Sequence, residues 1–283
     1  MRGRVGGAAV LQGEAVMAAA ARQRVTIITG GSSGVGAATA CMLAARGQAV
    51  LINYSRSAEL ADAVVRECLA LGGDAMAVKG DVADVLACEA VAREAHARWG
   101  RVDGLVSCAG TTLFIPMHEL DRVQAEDFLQ VFGVNAVGPF QMARAAARYM
   151  GDGSAIVNVS SIAGQTGSGS SYPYVLSKAA LNILTVSLAR TLAPRVRVNG
   201  VLPGMIEGRW MRDGLGDEAY ERVKGQFASV AALGKISQPG QIASAVCWLL
   251  EPESMVTGQN IVVDAGFTLG KPPSAAGATP ASN

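Results

Sequence analysis

The run Tyr174-Val175-Leu176-Ser177-Lys178 sets a phenol and an ammonium four residues apart. On a helix that spacing puts both side chains on one face, one turn from each other. The ammonium favours the phenolate and draws a phenol of ordinary pKa about 10 toward neutral pH. A phenol tuned in this way passes a proton to or from an alcohol or carbonyl oxygen. Taken alone, the pair is also what any amphipathic helix with a half-buried Tyr and a solvated Lys would carry. Its meaning therefore depends on the elements that hold it and on what stands nearby.

Those elements follow from short β-branched runs alternating with longer helical stretches. Residues 24–29, 49–54, 75–79, 104–107, 155–160, 196–201 and 261–263 read as strands, bounded by Gly, Asp, Asn or Pro. Residues 34–46, 58–71, 85–99, 128–149, 174–192 and 238–250 read as helices, and Pro173 suits the first turn of the Tyr174 helix. Near-continuous apolar strands imply a sheet covered on both faces, and the alternation implies parallel pairing with right-handed crossovers. The expected fold is α/β: a single Rossmann-like, doubly wound domain of about seven parallel strands with helices on both faces. Residues 207–233 break the rhythm and are expected to form a helical lid within 205–233.

After the first strand comes Thr29-Gly30-Gly31-Ser32-Ser33-Gly34-Val35-Gly36. Glycines permit a tight turn and close approach of backbone to a ligand. The helix that follows offers free N–H groups and a positive dipole end to a pyrophosphate. The pattern is TGxxxGxG, without the Lys-Ser/Thr ending of a P-loop, and its strand–turn–helix setting points to a dinucleotide.

Half of the 283 residues are hydrophobic and 17% are charged, which suits a sizeable core. A formal net charge of +1 leaves no electrostatic footprint for nucleic acid or an anionic membrane. No uncharged run of about 18 residues offers a membrane span. Cys41, Cys68, Cys88, Cys108 and Cys247 are odd in number and widely spaced, and His96 and His118 are the only histidines. No metal site is expected from them; free thiols in a reducing, cytoplasmic setting are. Residues 1–23, where Arg2 and Arg4 precede an apolar stretch broken by Glu14, are expected to be a disordered leader, with Met17 an equally good start. Residues 24–270 form the expected catalytic domain, and 271–283, rich in Pro, Ala, Ser and Gly, a disordered tail.

With these features in order, residues 24–269 resemble the short-chain dehydrogenase/reductase family. The resemblance rests on TGGSSGVG at 29–36, Asp81-Val82 after the third strand, Ala109-Gly110 after the fourth, and Asn135 in a long helix. It continues through IVNVSS at 156–161, the Tyr174…Lys178 run, and Pro203-Gly204 after the sixth strand. It implies Tyr174 as general acid/base, with Lys178 lowering its pKa and holding the nicotinamide ribose. Ser161 would hold the substrate oxygen, and Asn135 would anchor a water in a proton relay to Lys178. The family's serine stands thirteen residues before its tyrosine, which selects Ser161 over Ser160 and Tyr174 over Tyr172. Along the cofactor the resemblance places Gly30, Ser32, Ser33, Gly34, Val35, Gly36, Tyr54, Ser55, Arg56, Asp81, Val82, Ala109, Gly110, Pro203, Gly204 and Ile206, beside Tyr174 and Lys178. Read as residues alone, Ser161 could turn the chain, Asn135 could satisfy buried backbone, and Asp81 could cap the next helix.

The second strand ends Ile52-Asn53-Tyr54-Ser55-Arg56-Ser57, with no carboxylate for a ribose 2′-hydroxyl. Arg56, flanked by Ser55 and Ser57, could clamp a 2′-phosphate, so NADP(H) is expected, with NAD(H) left open. Ser33 stands where many NADP-preferring members carry a basic residue. Two further departures are Ser107-Cys108 in place of two strand-bracing asparagines, and Gly208 where a threonine often meets the carboxamide. The expected activity is interconversion of a carbonyl and a secondary alcohol, similar in pattern to 3-oxoacyl-carrier-protein reductases and sugar dehydrogenases. Sugar, steroid or polyol oxidation and a non-catalytic NADP-binding sensor or scaffold are the alternatives. Met205, Ile206, Trp210, Met211 and Phe227 suggest either an apolar wall of the pocket or packing of the lid onto the sheet. The resemblance also implies a homotetramer in which the Asn135 and Tyr174 helices meet their mates in a neighbouring subunit, a small-molecule carbonyl or alcohol substrate, and no nucleic-acid or membrane partner.

Overall fold

Val25–Thr29, sequence VTIIT, is buried at all five positions, so apolar and β-branched residues point to both faces and the strand needs cover on each. In a computed structural model describing residues 23–270, this strand (β1) sits in the middle of a sheet. The others are β2 (Ala49–Tyr54), β3 (Asp74–Lys79), β4 (Val102–Ser107), β5 (Met150–Val159), β6 (Val196–Pro203) and β7 (Asn260–Val263). Their order is β3-β2-β1-β4-β5-β6-β7 and every pairing is parallel. The winding reverses between β1 and β4, and the crevice at such a reversal is where open α/β sheets bind ligands. The leader and tail expectations fall outside the described residues, except for Gln23, whose side-chain amide donates to the Gly47 carbonyl (2.9 Å).

Helices α1 (Gly34–Ala44) and α2 (Ala58–Ala70) cover one face of the sheet; α3 (Val85–Trp99) covers the other. The single helix expected over 128–149 is instead α4 (Ala125–Phe132), a π turn at Gly133–Val137, and α5 (Gly138–Ala146). Composition explains the break. Pro139 has no N–H to give the Asn135 carbonyl four residues back, and Gly133 and Gly138 hold a helix weakly. A four-residue helix, α6 (Ala163–Thr166), follows β5, and then comes α7 (Tyr172–Leu192). Ser171 caps α7 by accepting from the Tyr174 N–H (3.4 Å), and Pro173 lies in the first turn. Although α7 is long and apolar enough to pass for a membrane span, its buried residues include Lys178, Asn182 and Thr185, and it packs on β6 and α4 as a core helix. The expected lid is helical: α8 (Arg209–Leu215) and α9 (Asp217–Val230), ahead of α10 (Pro239–Leu250).

Candidate active site

The residues expected to line a cofactor gather at the carboxyl ends of the strands. The turn at 30–33 follows β1, Asp81 and Val82 follow β3, and Ala109 and Gly110 follow β4. Tyr54 ends β2, with Ser55 and Arg56 exposed beyond it, and Pro203 ends β6, with Gly204 next. Backbones crowd the turn. Gly30 has φ +62°, and a Cβ there would lie 2.8 Å from Ala109 Cα; one at Gly36 would lie 2.4 Å from the Gly30 carbonyl oxygen. Only glycine fits such a cradle. Ser33, at the N-cap of α1, makes no side-chain cap, so the first N–H groups of α1 are free to meet an anion. This donor set fits a dinucleotide pyrophosphate.

Thr29 binds the crevice together. Its hydroxyl accepts from the Cys108 and Ala109 N–H groups (3.1 Å each) and lies 3.4 Å from the Val106 carbonyl, to which it donates. The β4 edge is thus tied to β1 without the two asparagines that the resemblance has at Ser107 and Cys108. Asn53 donates to the Val78 and Gly80 carbonyls (3.3 and 3.0 Å), closing the end of β2 onto β3. Asp84, not Asp81, caps α3, while Asp81 accepts from the Ala83 N–H (3.0 Å) and stays exposed.

Tyr174 and Lys178 lie one turn apart on the buried face of α7. Lys178 Nζ donates to the Val159 carbonyl (3.1 Å) and stands 5.7 Å from the Tyr174 ring centroid. Ser161, two residues past β5, stands close enough to the Tyr174 phenol to oppose the rise of its pKa, and accepts from the Ala163 N–H at 3.1 Å. Its neighbour Ser160 turns inward and donates to the Lys178 carbonyl (3.1 Å), a structural role. Burial dominates the electrostatics. It pushes the Tyr174 phenol up to about 12 and brings the Lys178 ammonium down to about 8. The expected lowering of the phenol by Lys178 does not set its direction here: burial raises it, and Ser161 is what opposes the rise.

Asn135 is fully buried in the π turn, and its amide is completely engaged. Its Oδ1 accepts from the Thr111 N–H (2.8 Å), and its Nδ2 donates to the Thr111 carbonyl (2.9 Å) and the Ser177 hydroxyl (3.0 Å). The side chain thus braces the loop after β4 against α7. What Asn135 leaves for a relay is its backbone carbonyl, which Pro139 deprives of an α-helical donor. Gly110 faces this corner: a Cβ there would lie 3.5 Å from Asn135 Oδ1 and 3.8 Å from Lys178 Nζ.

Of the five lid residues, Trp210 alone reaches the phenol, with ring centroids 5.9 Å apart. Met205, Met211 and Phe227 turn instead into the lid's own core around Tyr220 and Ile236, and Phe227 stacks on Phe267 at 3.9 Å. Ile206 packs on the main core and pairs with Ser237, and Gly208 faces open space. Four further residues shape the site without having been singled out by type. Ser177 links Asn135 to α7 and donates to the Tyr174 carbonyl (2.7 Å). Gly164 lets α6 lie on α7, since a Cβ there would be 2.5 Å from the Lys178 carbonyl carbon. Met117 packs against the cluster of Ala163, Tyr174 and Val175, and Phe114 sits over Gly214. Ser177 and Gly164 carried a faint signal, lying inside or just after the motifs; Phe114 and Met117 carried none.

Residues 30–268 match the family model described as enoyl-(acyl carrier protein) reductase. A 3-oxoacyl-(acyl-carrier-protein) reductase from Synechocystis is 35% identical over 251 residues, 87% of this chain and 97% of its own. Among solved structures, a short-chain dehydrogenase/reductase from Serratia marcescens superposes with a TM-score of 0.79 at 33% identity, covering 87% of this chain and 99% of that one. A blue fluorescent protein from a metagenomic library, in complex with NADPH, gives a TM-score of 0.78 at 33% identity, covering 86% and 97%.

Proposed function

The chain belongs to the short-chain dehydrogenase/reductase family and is an NAD(P)-dependent oxidoreductase, and from that premise we propose that it uses NADP(H) to interconvert a carbonyl and a secondary alcohol. The observation that carries this reading is the convergence of Ser161, Tyr174 and Lys178 beside the glycine turn of β1. A bound nicotinamide dinucleotide supplies the hydride. Ser161 holds the substrate oxygen against the Tyr174 hydroxyl, and Tyr174 moves the proton at that oxygen. Lys178, anchored on the Val159 carbonyl, has two N–H donors left for the ribose and for a water held by the Asn135 carbonyl. Tyr174 stays protonated at neutral pH, which suits an acid that protonates a nascent alkoxide in the reductive direction.

Arg56 supports NADP(H) over NAD(H), being exposed at the end of β2 where no carboxylate stands. The Synechocystis relative's name supports 3-oxoacyl thioesters as one candidate substrate class. Five free thiols support a reducing, cytoplasmic setting, and the homotetramer suggested by the sequence is part of this reading. The test is NADPH oxidation with a panel of carbonyl compounds, on wild type and Tyr174→Phe. Turnover should fall by about a thousandfold or more in the variant while NADPH binding persists. Equal turnover in the two proteins would remove Tyr174 as the acid.

A further inference from the structure

Consecutive residues at the end of β5 reach α7 one after another. Asn158 Nδ2 donates to the Thr185 hydroxyl (3.0 Å), the Val159 carbonyl accepts from Lys178 Nζ (3.1 Å), and Ser160 Oγ donates to the Lys178 carbonyl (3.1 Å). Ser161 follows, close to the Tyr174 phenol. On α7 the partners stand at 185, 178 and 174, spacings of seven and four that keep them on one helical face. As β5 runs toward the crevice, its contacts therefore move back along α7, two turns and then one.

Lys178 Nζ takes a place that the sheet itself leaves open. β4 ends at Ser107, whose register partner is Asn158, so no β4 residue pairs with Val159. The protein's anchor for the ammonium is thus a backbone carbonyl at the free edge of the strand end, and reaching it depends on how far α7 sits along β5. Apolar contact between the two layers does not settle that height. Ile156, Leu188 and Val198 share one cluster, and such packing is non-directional. A hydrogen bond has a fixed length and direction. Asn158 and Thr185 are both at 0% exposure, and the Thr185 hydroxyl donates its own proton to the Leu181 carbonyl (2.9 Å), so toward β5 it only accepts.

Resting on Tyr174 and Lys178 as the proton-handling pair, we propose that Asn158 and Thr185 are positioning residues: their hydrogen bond sets the height of α7 on β5 and so holds Lys178 Nζ at the Val159 carbonyl. Without it Nζ would draw back from the carbonyl. Loss of an acceptor disfavours the charged form, so Lys178 would give up its proton at lower pH. Tyr174 and Cys108 are the ionisable groups that bear on Lys178 among the described residues.

Lysine isotopically labelled at Cε lets Lys178 be followed by NMR, its resonance being the one missing from Lys178→Met. Titration would compare wild type, Asn158→Leu, Thr185→Ser, and Thr185→Val, which keeps the shape and removes the hydroxyl. The Lys178 midpoint should fall by about 0.5 pH or more in Thr185→Val and Asn158→Leu, and Thr185→Ser should keep the wild-type value. NADPH oxidation with the acetoacetyl thioester of N-acetylcysteamine should show kcat about tenfold lower in those two variants, with the KM for NADPH within about twofold. An unchanged midpoint in both, whatever happens to the melting temperature, would make the pair a packing contact and overturn the proposal. A lowered midpoint with kcat unchanged would overturn it as well. The titration needs no substrate, so it decides the placement of Lys178 even where the thioester is not reduced. Wild-type turnover in Lys178→Met would instead sink the proton-handling reading beneath it.

Discussion

Burial pulls the two ionisable groups of the site in opposite directions, the Tyr174 phenol up to about 12 and the Lys178 ammonium down to about 8. At pH 7 both keep their protons, so the fold holds a buried cation that donates to the Val159 carbonyl and faces the Tyr174 ring. The sign of the stability effect follows from proton counts. Below pH 8 Lys178 is charged folded and unfolded, and the native state carries the whole desolvation penalty. Between pH 8 and its ordinary 10.5 the folded protein sheds the proton first, and the penalty fades as pH rises. A fall from 10.5 to about 8 corresponds to roughly 3 kcal/mol as an upper figure. Lys178→Met is therefore expected to be inactive yet more stable by about 2–3 kcal/mol at pH 7. That advantage should shrink between pH 8 and 10.5, as read from denaturant melts across pH. A variant less stable than wild type at pH 7 would show that the Val159 contact outweighs desolvation.

At the level of elements, the site depends on α6 lying flat on α7. A methyl at Gly164 would press on the backbone at Lys178, 2.5 Å from its carbonyl carbon and 2.6 Å from the Ala179 nitrogen. Gly164→Ala should lower kcat by about tenfold or more by shifting Ser161 against Lys178, with NADPH affinity nearly unchanged. A change confined to thermal stability would make Gly164 a packing residue only. The loop after β2 acts separately: Arg56→Ala should raise the KM for NADPH about tenfold and leave NADH alone. Equal effects on both cofactors would remove the 2′-phosphate clamp. Strands were legible because buried parallel strands are apolar throughout; 49–54 was read to the residue, and each of the other six differs by one to five positions at one edge or both. The π turn escaped because apolar periodicity runs through it, although Pro139 marked the missing donor. The lid was read as helical, but which way Met205, Met211 and Phe227 turned depends on Tyr220 and Ile236, contacts that spacing does not encode. The direction of the Tyr174 shift was misjudged for a similar reason: a four-residue spacing reports the nearby charge and says nothing of burial.

Over the whole molecule, apolar side chains stay exposed along the outer side of the helices that carry the site. Leu129 is 75% and Ile183 68% exposed, and Val137, Phe140 and Leu176 are near half. α4 and α7 pack together, and on α7 Leu176 and Ile183 lie on the side away from the buried Tyr174, Ser177 and Lys178. An apolar surface on paired helices suits a self-complementary contact between subunits. The wild type is expected to scatter light as a tetramer of the 29.0 kDa chain. Ile183→Arg, which would set two cations against each other across a twofold contact, should shift it to smaller species. Because α7 holds its catalytic face and its exposed face on opposite sides of one helix, loss of the contact should also loosen the site. Specific activity of Ile183→Arg is therefore expected to fall together with particle mass, while Asp62→Arg, on the exposed side of α2 away from that face, changes neither. A fully active monomer would separate the site from the assembly and refute the coupling.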